Sequence, residues 1–152
     1  MRTTTYSHHG AEKALPADIV QEVQDVLGGL RMPIVQYSAS RIRNAITEQL
    51  QGRGWSGRVR LDPDTKISVT SMKQRVALCL QTGNMARFYA DLLKLQLPFT
   101  KGAIEGAMLI TPTQAAASSL GSNIANFDRL TRELPVFREI ITVPLLVVGF
   151  EE

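Results

Sequence analysis

Basic residues are concentrated in one third of the chain. Seven arginines and two lysines lie between Arg31 and Arg75 against three acids, so this segment carries +6 while the whole 152-residue chain carries only +3. Arginines outnumber lysines by 12 to 5, and the planar guanidinium with its five donors matches phosphates and base edges. The asymmetry predicts a surface that faces a polyanion such as a nucleic acid. A solvated basic face without a partner is the alternative.

The common catalytic signatures are absent. The sequence has no Walker loop, no G-x-G-x-x-G after a strand, no H-E-x-x-H and no G-x-S-x-G. His8 and His9 are adjacent, so they point in different directions and cannot form an i, i+4 metal pair. The single cysteine, Cys79, lies among apolar residues, which favours a buried, inert side chain over a reactive thiol.

Length and composition favour one globular domain, residues 1–152. Apolar residues make up 44% and charged residues 20%, which argues against disorder, collagen or a coiled coil. A single cysteine cannot form an internal disulfide, so we expect a reducing, cytoplasmic setting. The apolar stretch 140–150 is broken by Thr142 and Pro144 and is too short to span a membrane. The polar N-terminal segment has no signal-peptide core, so we expect no membrane association.

Apolar periodicity predicts three helices. Two of them precede the strands of the basic segment, and one follows them. The first begins at Pro16-Ala17-Asp18 and stops at Gly28-Gly29, and the second is capped by Ser38 or Ser40 and ended by Gly52 and Gly54. The third covers Met85 to Leu97 and ends at Pro98. Arg41 and Arg43 fall in the first turn of the second helix, where the helix dipole does not favour cations. An approaching anion would explain that placement.

The remaining pattern predicts a mixed sheet flanked by helices, an α/β fold. Segments 59–61 and 66–70 are expected to form hairpin strands that lead into a buried central strand over 75–81. A strand over 103–111 follows the third helix and completes a βαβ unit. Residues 114–120 are expected to form a short helix, 122–127 a loop or helix start, and 129–137 a segment interrupted at Pro135. An apolar central strand over 140–149 comes last.

Several blocks of sequence, in this order, carry a family resemblance. They are Tyr6-Ser7-His8-His9, Gly54-Trp55 after the second helix, RVALCLQTGN, MARFYADLLKLQLPFTKGAIEGAMLITPT and GSNIANFDRLTRELPVFREIITVPLLVVGF. Together they resemble the BglII-type restriction endonuclease family, which has the PD-(D/E)XK nuclease fold. The similarity runs over nearly the whole chain, which is shorter than typical members. The resemblance implies a restriction-endonuclease-like mixed β-sheet flanked by helices.

The same resemblance implies Mg²⁺-dependent hydrolysis of DNA phosphodiesters by a homodimer. The family places an Asp on one strand and a Glu-x-Glu or Glu-x-Gln about nine residues later, since hard Mg²⁺ needs oxygen ligands. In this sequence the Asp falls on Thr70 and the Glu-x-Gln on Cys79-Leu80-Gln81. Gln81 fits, but a thiol is a poor Mg²⁺ ligand and a hydroxyl carries no charge. The resemblance therefore implies a degenerate site, for which no metal or other cofactor is expected.

Relocated carboxylates are the alternative. Asp62 and Asp64 lie on the preceding strand or turn, and they would restore Mg²⁺ as a cofactor if they reached the pocket. Pro63 between them makes a turn the simpler interpretation. Glu105 lies at the start of a strand and is interpreted as facing solvent.

Loss of two carboxylates favours binding of DNA without cleavage, because it removes negative charge from a cleft that approaches phosphate. The candidate DNA-binding residues are Arg41, Arg43, Arg58, Arg60, Lys66, Lys73, Arg75, Asn84 and Arg87. The resulting hypothesis is a homodimeric protein that binds double-stranded DNA and whose cleavage is impaired. An active Mg²⁺-dependent endonuclease that uses Asp62 or Asp64, and a protein-interaction module, remain alternatives.

Overall fold

A five-stranded mixed sheet forms the centre of the computed structural model, which describes residues 1–152. The strands of the molecule are β1 (Arg2–His8), β2 (Val59–Arg60), β3 (Ser68–Val69), β4 (Ser71–Lys73), β5 (Val76–Leu80), β6 (Gly106–Pro112) and β7 (Leu145–Glu151). The main sheet has the order β1-β7-β6-β5-β4, while β2 and β3 form a separate antiparallel ribbon. Strands β5, β6 and β7 are parallel, and the edge strands β1 and β4 are antiparallel to their neighbours. The predicted mixed sheet is therefore confirmed.

Helices cover both faces of the sheet. They are α1 (Ala11–Ala14), α2 (Ala17–Gly29), α3 (Ala39–Gly52), α4 (Arg87–Thr100), α5 (Gln114–Leu120) and α6 (Phe127–Glu133), and a 3₁₀ turn covers Leu134–Phe137. Side chains alternate along a strand, so Val76, Leu78 and Leu80 pack against α2, α3 and α5 on one face. Ala77 and Cys79 pack against α4 and α6 on the other face. The resulting α/β/α layers place α3 and α4 on opposite sides of β5.

Several predicted elements are confirmed. Helix α2 buries Ile19, Val23, Val26 and Leu27, the stripe that its periodicity indicated, and ends at the expected glycine pair. Strand β5 is buried at every position, as its continuous apolar run predicted, and it is parallel to β6 across α4. No helix of the molecule is both long enough and apolar enough to cross a bilayer.

The N-terminal segment forms a strand that the sequence pattern did not predict. Residues Arg2–His8 pair along their whole length with β7, although the first four of them are exposed. An edge strand with one neighbour needs few apolar side chains, so Arg2 and Thr3 to Thr5 carry no alternating hydrophobic signal. The β-branched threonines are the only local indication of a strand.

The third helix was predicted to end at Pro98, and that prediction is wrong. Helix α4 continues to Thr100 with Pro98 inside its last turn. Proline removes one backbone donor and disfavours helix before it, but so near the end only one helical hydrogen bond is lost. The chain leaves the helix at Gly102, whose φ of +70° and hydrogen bond to Phe99 O form the terminating turn.

The strands are shorter than predicted. The expected strand over 66–70 is reduced to Ser68–Val69, and the chain then begins a separate strand, Ser71–Lys73, which pairs with β5. The strand over 103–111 begins only at Gly106, and the strand over 140–149 only at Leu145. Ile140 is exposed and Pro144 precedes the ladder. The predicted break at Pro135 corresponds to the change from α6 to the 3₁₀ turn.

Candidate functional site

Thr70, Cys79 and Gln81 lie together in one cleft at the edge of the sheet. The cleft has a volume of about 830 Å³ and lies between α3 and α4, where β5 ends. Thr70 Oγ1 accepts a hydrogen bond from Leu80 N at 3.0 Å, and Thr70 N donates to Leu78 O at 3.0 Å. These bonds hold Thr70 beside β5, so the nine-residue spacing becomes a direct cross-strand contact. The sequence predicted these three as neighbours.

Positive charge dominates the lining of the cleft. Its basic side chains are Arg43 from α3, Arg58 and Lys66 from the segment around the β2–β3 ribbon, and Arg87 and Lys94 from α4. Its acids are Glu48 and Asp91. Five cations against two anions in a concave surface concentrate positive potential there. The cleft is therefore suited to an extended anion.

Asp91 is the buried carboxylate of the cleft. Its Oδ2 accepts a hydrogen bond from Gln81 Nε2 at 2.5 Å, and its Oδ1 lies 3.1 Å from Lys94 Nζ. Gln81 Oε1 in turn accepts from Gly83 N at 2.9 Å. Both ends of the Gln81 amide are thus used inside the protein. Sequence reasoning did not single out Asp91, because only the three-dimensional contact with Gln81 distinguishes it from a solvated acid.

Cys79 is a buried thiol, as its apolar surroundings predicted. The residue is 2% exposed. Burial raises the pKa of the thiol to about 12, with a further contribution from the Asp91 carboxylate, while the contacts with Thr70 and Lys94 act in the opposite direction. The sulfur is therefore protonated at neutral pH and is a poor ligand for a hard cation.

The side chains at positions 70, 79 and 81 do not form the donor set that a Mg²⁺ ion prefers. Such an ion prefers an octahedron of oxygens that includes one or two carboxylates. The Thr70 hydroxyl accepts a backbone hydrogen bond, the Cys79 thiol is neutral and Asp91 already binds an ammonium and an amide. No group of three or more His, Cys, Asp and Glu side chains in the molecule is arranged to hold a metal ion.

Asp62 and Asp64 lie outside the cleft. Asp62 Oδ1 accepts hydrogen bonds from Asp64 N and Thr65 N, both at 2.9 Å. This is the turn that Pro63 favoured, in which a short carboxylate satisfies the backbone of its own loop. The structure therefore does not bring either residue to Thr70 and Gln81.

The structure separates the predicted DNA-binding residues into two groups. Arg43, Arg58, Lys66 and Arg87 line the cleft, whereas the others do not. Lys73 Nζ is held by Glu22 at 2.7 Å and by Arg53 O, and Arg75 pairs with Glu105 at 2.9 Å and donates to Gly102 O. These two therefore have structural contacts, and Glu105 faces solvent as predicted.

The other three residues lie at the surface near the cleft. Arg41 and Arg60 are exposed, and the side chain of neither makes a hydrogen bond or an ion pair within the protein. Asn84 Oδ1 accepts from Ala86 N and so supports the turn before α4. His8 and His9 lie far from the cleft and contact the carbonyls of Ile141 and Arg138. Each histidine thus makes its contact with a separate backbone carbonyl, and neither lines the cleft.

Comparison with known proteins identifies close relatives in fold. A family model for restriction endonuclease BglII/BglIII matches residues 3–150. The crystal structure of restriction endonuclease BglII complexed with a DNA 16-mer superposes with a TM-score of 0.88 at 14% identity, covering 100% of this chain and 79% of that chain. Free BglII superposes with a TM-score of 0.78 at 16% identity, covering 100% and 80%. No curated protein matches the chain in sequence.

Proposed function

The chain belongs to the restriction endonuclease BglII/BglIII family, and from that membership we propose that it binds double-stranded DNA in the basic cleft with impaired cleavage. One relative, BglII, has been crystallised with a DNA 16-mer. The cleft supports the same class of ligand for this chain because five basic side chains line it. Duplex DNA carries a dense row of phosphates that such a surface neutralises.

The observation that carries the impaired cleavage is the chemistry of positions 70 and 79. Both positions hold neutral groups, a hydroxyl that accepts a backbone hydrogen bond and a thiol with a pKa near 12. A hard cation has no anionic pair there to replace its water shell. A metal ion that would support hydrolysis therefore lacks its anionic ligands at these positions. The basic side chains that face phosphate remain.

Four of the five basic residues of the cleft have a positioning role in this proposal. Arg43, Arg58, Lys66 and Arg87 contact backbone phosphates, which fixes the protein on the duplex without reading its sequence. Arg41, exposed on α3 two residues before Arg43, extends the same surface at longer range, whereas Arg60 lies outside the cleft and is assigned no phosphate contact. Loss of one contact should weaken binding to all sequences about equally.

We also propose that the protein acts as a homodimer, as the family resemblance implies. Helix α4 lies along residues 137–143, since the Gln96 side chain bonds Thr142 N and Val143 N. Three large apolar side chains of these neighbouring segments are exposed, namely Leu93, Val136 and Ile140, at 61%, 79% and 64%. A second copy of the chain that packed on this face would cover these side chains and remove their apolar surface from water.

Binding and cleavage of a fluorescent duplex test the proposal directly. The titration is made at about 50 and about 200 mM salt, each with EDTA and with Mg²⁺. Four or five phosphate contacts predict a loss of affinity of roughly 150- to 500-fold between the two salt concentrations, with no cleavage in Mg²⁺. Arg58→Gln should weaken binding severalfold at low salt. Arg60→Gln is the matched control because Arg60 is also exposed but lies outside the cleft.

Two results would contradict the proposal. Cleavage in Mg²⁺ that disappears in Asp62→Asn or Asp64→Asn would mean an active endonuclease with relocated carboxylates. Absence of salt-dependent binding in every condition would instead favour a protein-interaction module. An equal effect of Arg58→Gln and Arg60→Gln would mean that DNA does not lie in the cleft.

A further inference from the structure

Lys94 places a cation in the lining of the cleft that also holds Thr70, Cys79 and Gln81, the positions on which the family's metal ligands fall. Its ammonium lies 3.1 Å from Asp91 Oδ1, and the two residues are three positions apart on α4. The Asp91 side chain is only 8% exposed, whereas that of Lys94 is 32% exposed. The carboxylate is therefore buried beneath the ammonium, which remains accessible from the cleft.

The ammonium keeps capacity for another anion. Lys94 Nζ makes one hydrogen bond, to Asp91, and an ammonium has three donors. The charge of Asp91 is shared, because its other oxygen accepts from Gln81 Nε2 at 2.5 Å. Asp91 thus holds the ammonium in place without using all of its donors.

The same two charges lie close to the former ligand position. Both the Asp91 carboxylate and the Lys94 ammonium act electrostatically on the Cys79 sulfur, in opposite directions. All three residues line the cleft together with Thr70. The Lys94 ammonium therefore lies in the same cleft as Thr70 and Cys79, whose side chains do not suit a divalent metal ion.

We propose that Lys94, positioned by Asp91, is a built-in cation that binds a DNA phosphate in this cleft and makes binding independent of divalent metal. The inference rests on the proposed function, which it deepens by naming the group that contacts phosphate at the degenerate centre. Affinity for duplex DNA should be the same in EDTA and in Mg²⁺ at equal ionic strength. Lys94 is half-buried, whereas the arginines that line the cleft are exposed.

The first test measures the salt dependence of DNA binding for Lys94→Gln. The slope of log affinity against log salt should fall by about 0.9, with a loss of roughly tenfold in affinity at low salt. Lys101→Gln is the matched control, because Lys101 is an exposed lysine at the far end of α4 outside the cleft. Lys94→Arg keeps the charge and should keep the slope, which separates loss of the contact from loss of the fold.

The outcomes are distinct from those of the proposed function. Wild-type protein that fails to bind duplex in any condition would remove the proposed function and this inference with it. Wild-type protein that binds but loses its affinity in EDTA would overturn only the inference. An unchanged slope in Lys94→Gln would do the same.

A second test uses Mn²⁺ alone and needs no DNA. Thr70→Asp with Cys79→Glu should create measurable Mn²⁺ binding beside Gln81 in a calorimetric titration. Adding Lys94→Gln should raise that affinity severalfold, because it removes a like charge from the same place. If the double variant binds Mn²⁺ and the third change adds nothing, Lys94 does not stand in the metal's place. No gain in either variant would mean that positions 70 and 79 are not the ligand positions, which also overturns the inference.

Discussion

His8 is a neutral imidazole built into the core. It is 1% exposed, and its Nε2 lies 2.6 Å from the carbonyl oxygen of Ile141, so this nitrogen carries the proton that is donated. Burial is the main reason why the pKa of His8 lies below 6.5; the positive potential of His9 and Arg138 acts in the same direction, and the hydrogen bond to Ile141 opposes it. The ring therefore stays neutral in the fold at pH values where the unfolded chain takes up a proton.

This pKa shift predicts acid sensitivity near neutral pH. The stabilisation is complete above pH 6.5 and is lost as the pH falls toward the lower folded value, because only the unfolded state then binds the proton. Urea unfolding of the wild type at pH 7 and pH 5.5 should show a lower midpoint at pH 5.5. His8→Gln keeps a donor but does not titrate, so its two midpoints should differ less. Equal pH dependence in both proteins would contradict this role for His8.

The residues of the site were only partly predictable. Thr70, Cys79 and Gln81 follow from the resemblance to the family, whose ligand pattern falls on them, and the structure brings them together. Asp91 and Lys94 come from a helix ten and more residues later, so their approach to Gln81 depends on how α4 packs on the sheet. Lys73 was predicted as a DNA contact from its charge alone, and its ion pair with Glu22 depends on a helix 51 residues away in sequence.

At the scale of elements, Gly149 allows β7 to pack closely on both sides. A Cβ at this position would lie 2.8 Å from Phe127 Cγ on α6 and 2.9 Å from Thr4 Cγ2 on β1. Contacts below 3.0 Å require the ring or the neighbouring strand to move. The absent side chain is thus what lets α6 and β1 approach the same strand.

Gly149→Ala should therefore lower the free energy of unfolding by about 1–3 kcal/mol, the usual cost of an overpacked core. Gly28→Ala provides a control of opposite sign, since Gly28 lies in α2 with nothing within 4 Å of an added Cβ. Alanine there should raise the free energy of unfolding by up to about 1 kcal/mol. Denaturant titration measures both. A neutral Gly149→Ala would mean that α6 can shift without loss of packing.

Elements with a strong local signal were predicted well. The bounds of α5 agree with the prediction, and its Thr113 cap accepts a hydrogen bond from Ala116 N. The failures have different causes: β1 depends on a partner strand far away in the chain, whereas the end of α4 depends on backbone hydrogen bonds within its own last turn. A proline ends a helix only where the backbone bonds that follow it are not made. After Pro98, Lys101 N still donates to Leu97 O, so the last turn of α4 forms. Local preference yields to such contacts.

At the scale of the whole molecule, the homodimer proposal predicts the mass in solution. Light scattering over a range of concentrations should give twice the 16.8 kDa of one chain. Val136→Asp with Ile140→Asp should shift the mass toward one chain, because a dimer that buried these side chains would also bury the new charges. Val35→Asp is the control, since Val35 is also exposed, at 48%, but lies on the loop before α3.

The dimer prediction has two contrary outcomes. A mass of one chain at every concentration would mean that the homodimer proposal is wrong. A dimer that survives Val136→Asp with Ile140→Asp would mean that the two copies meet on another face.

The pairing of β1 with β7 sets an order of events during synthesis. Tyr6 pairs with Val147, so the first strand emerges from the ribosome about 140 residues before its partner. At roughly 5–20 residues per second this leaves β1 without a partner for roughly seven to thirty seconds. A strand that waits so long is a template for aggregation if it is apolar. The arginine and three successive threonines at its start make β1 a poor template for aggregation. The same polarity that leaves the strand without an alternating apolar pattern therefore protects the growing chain from aggregation.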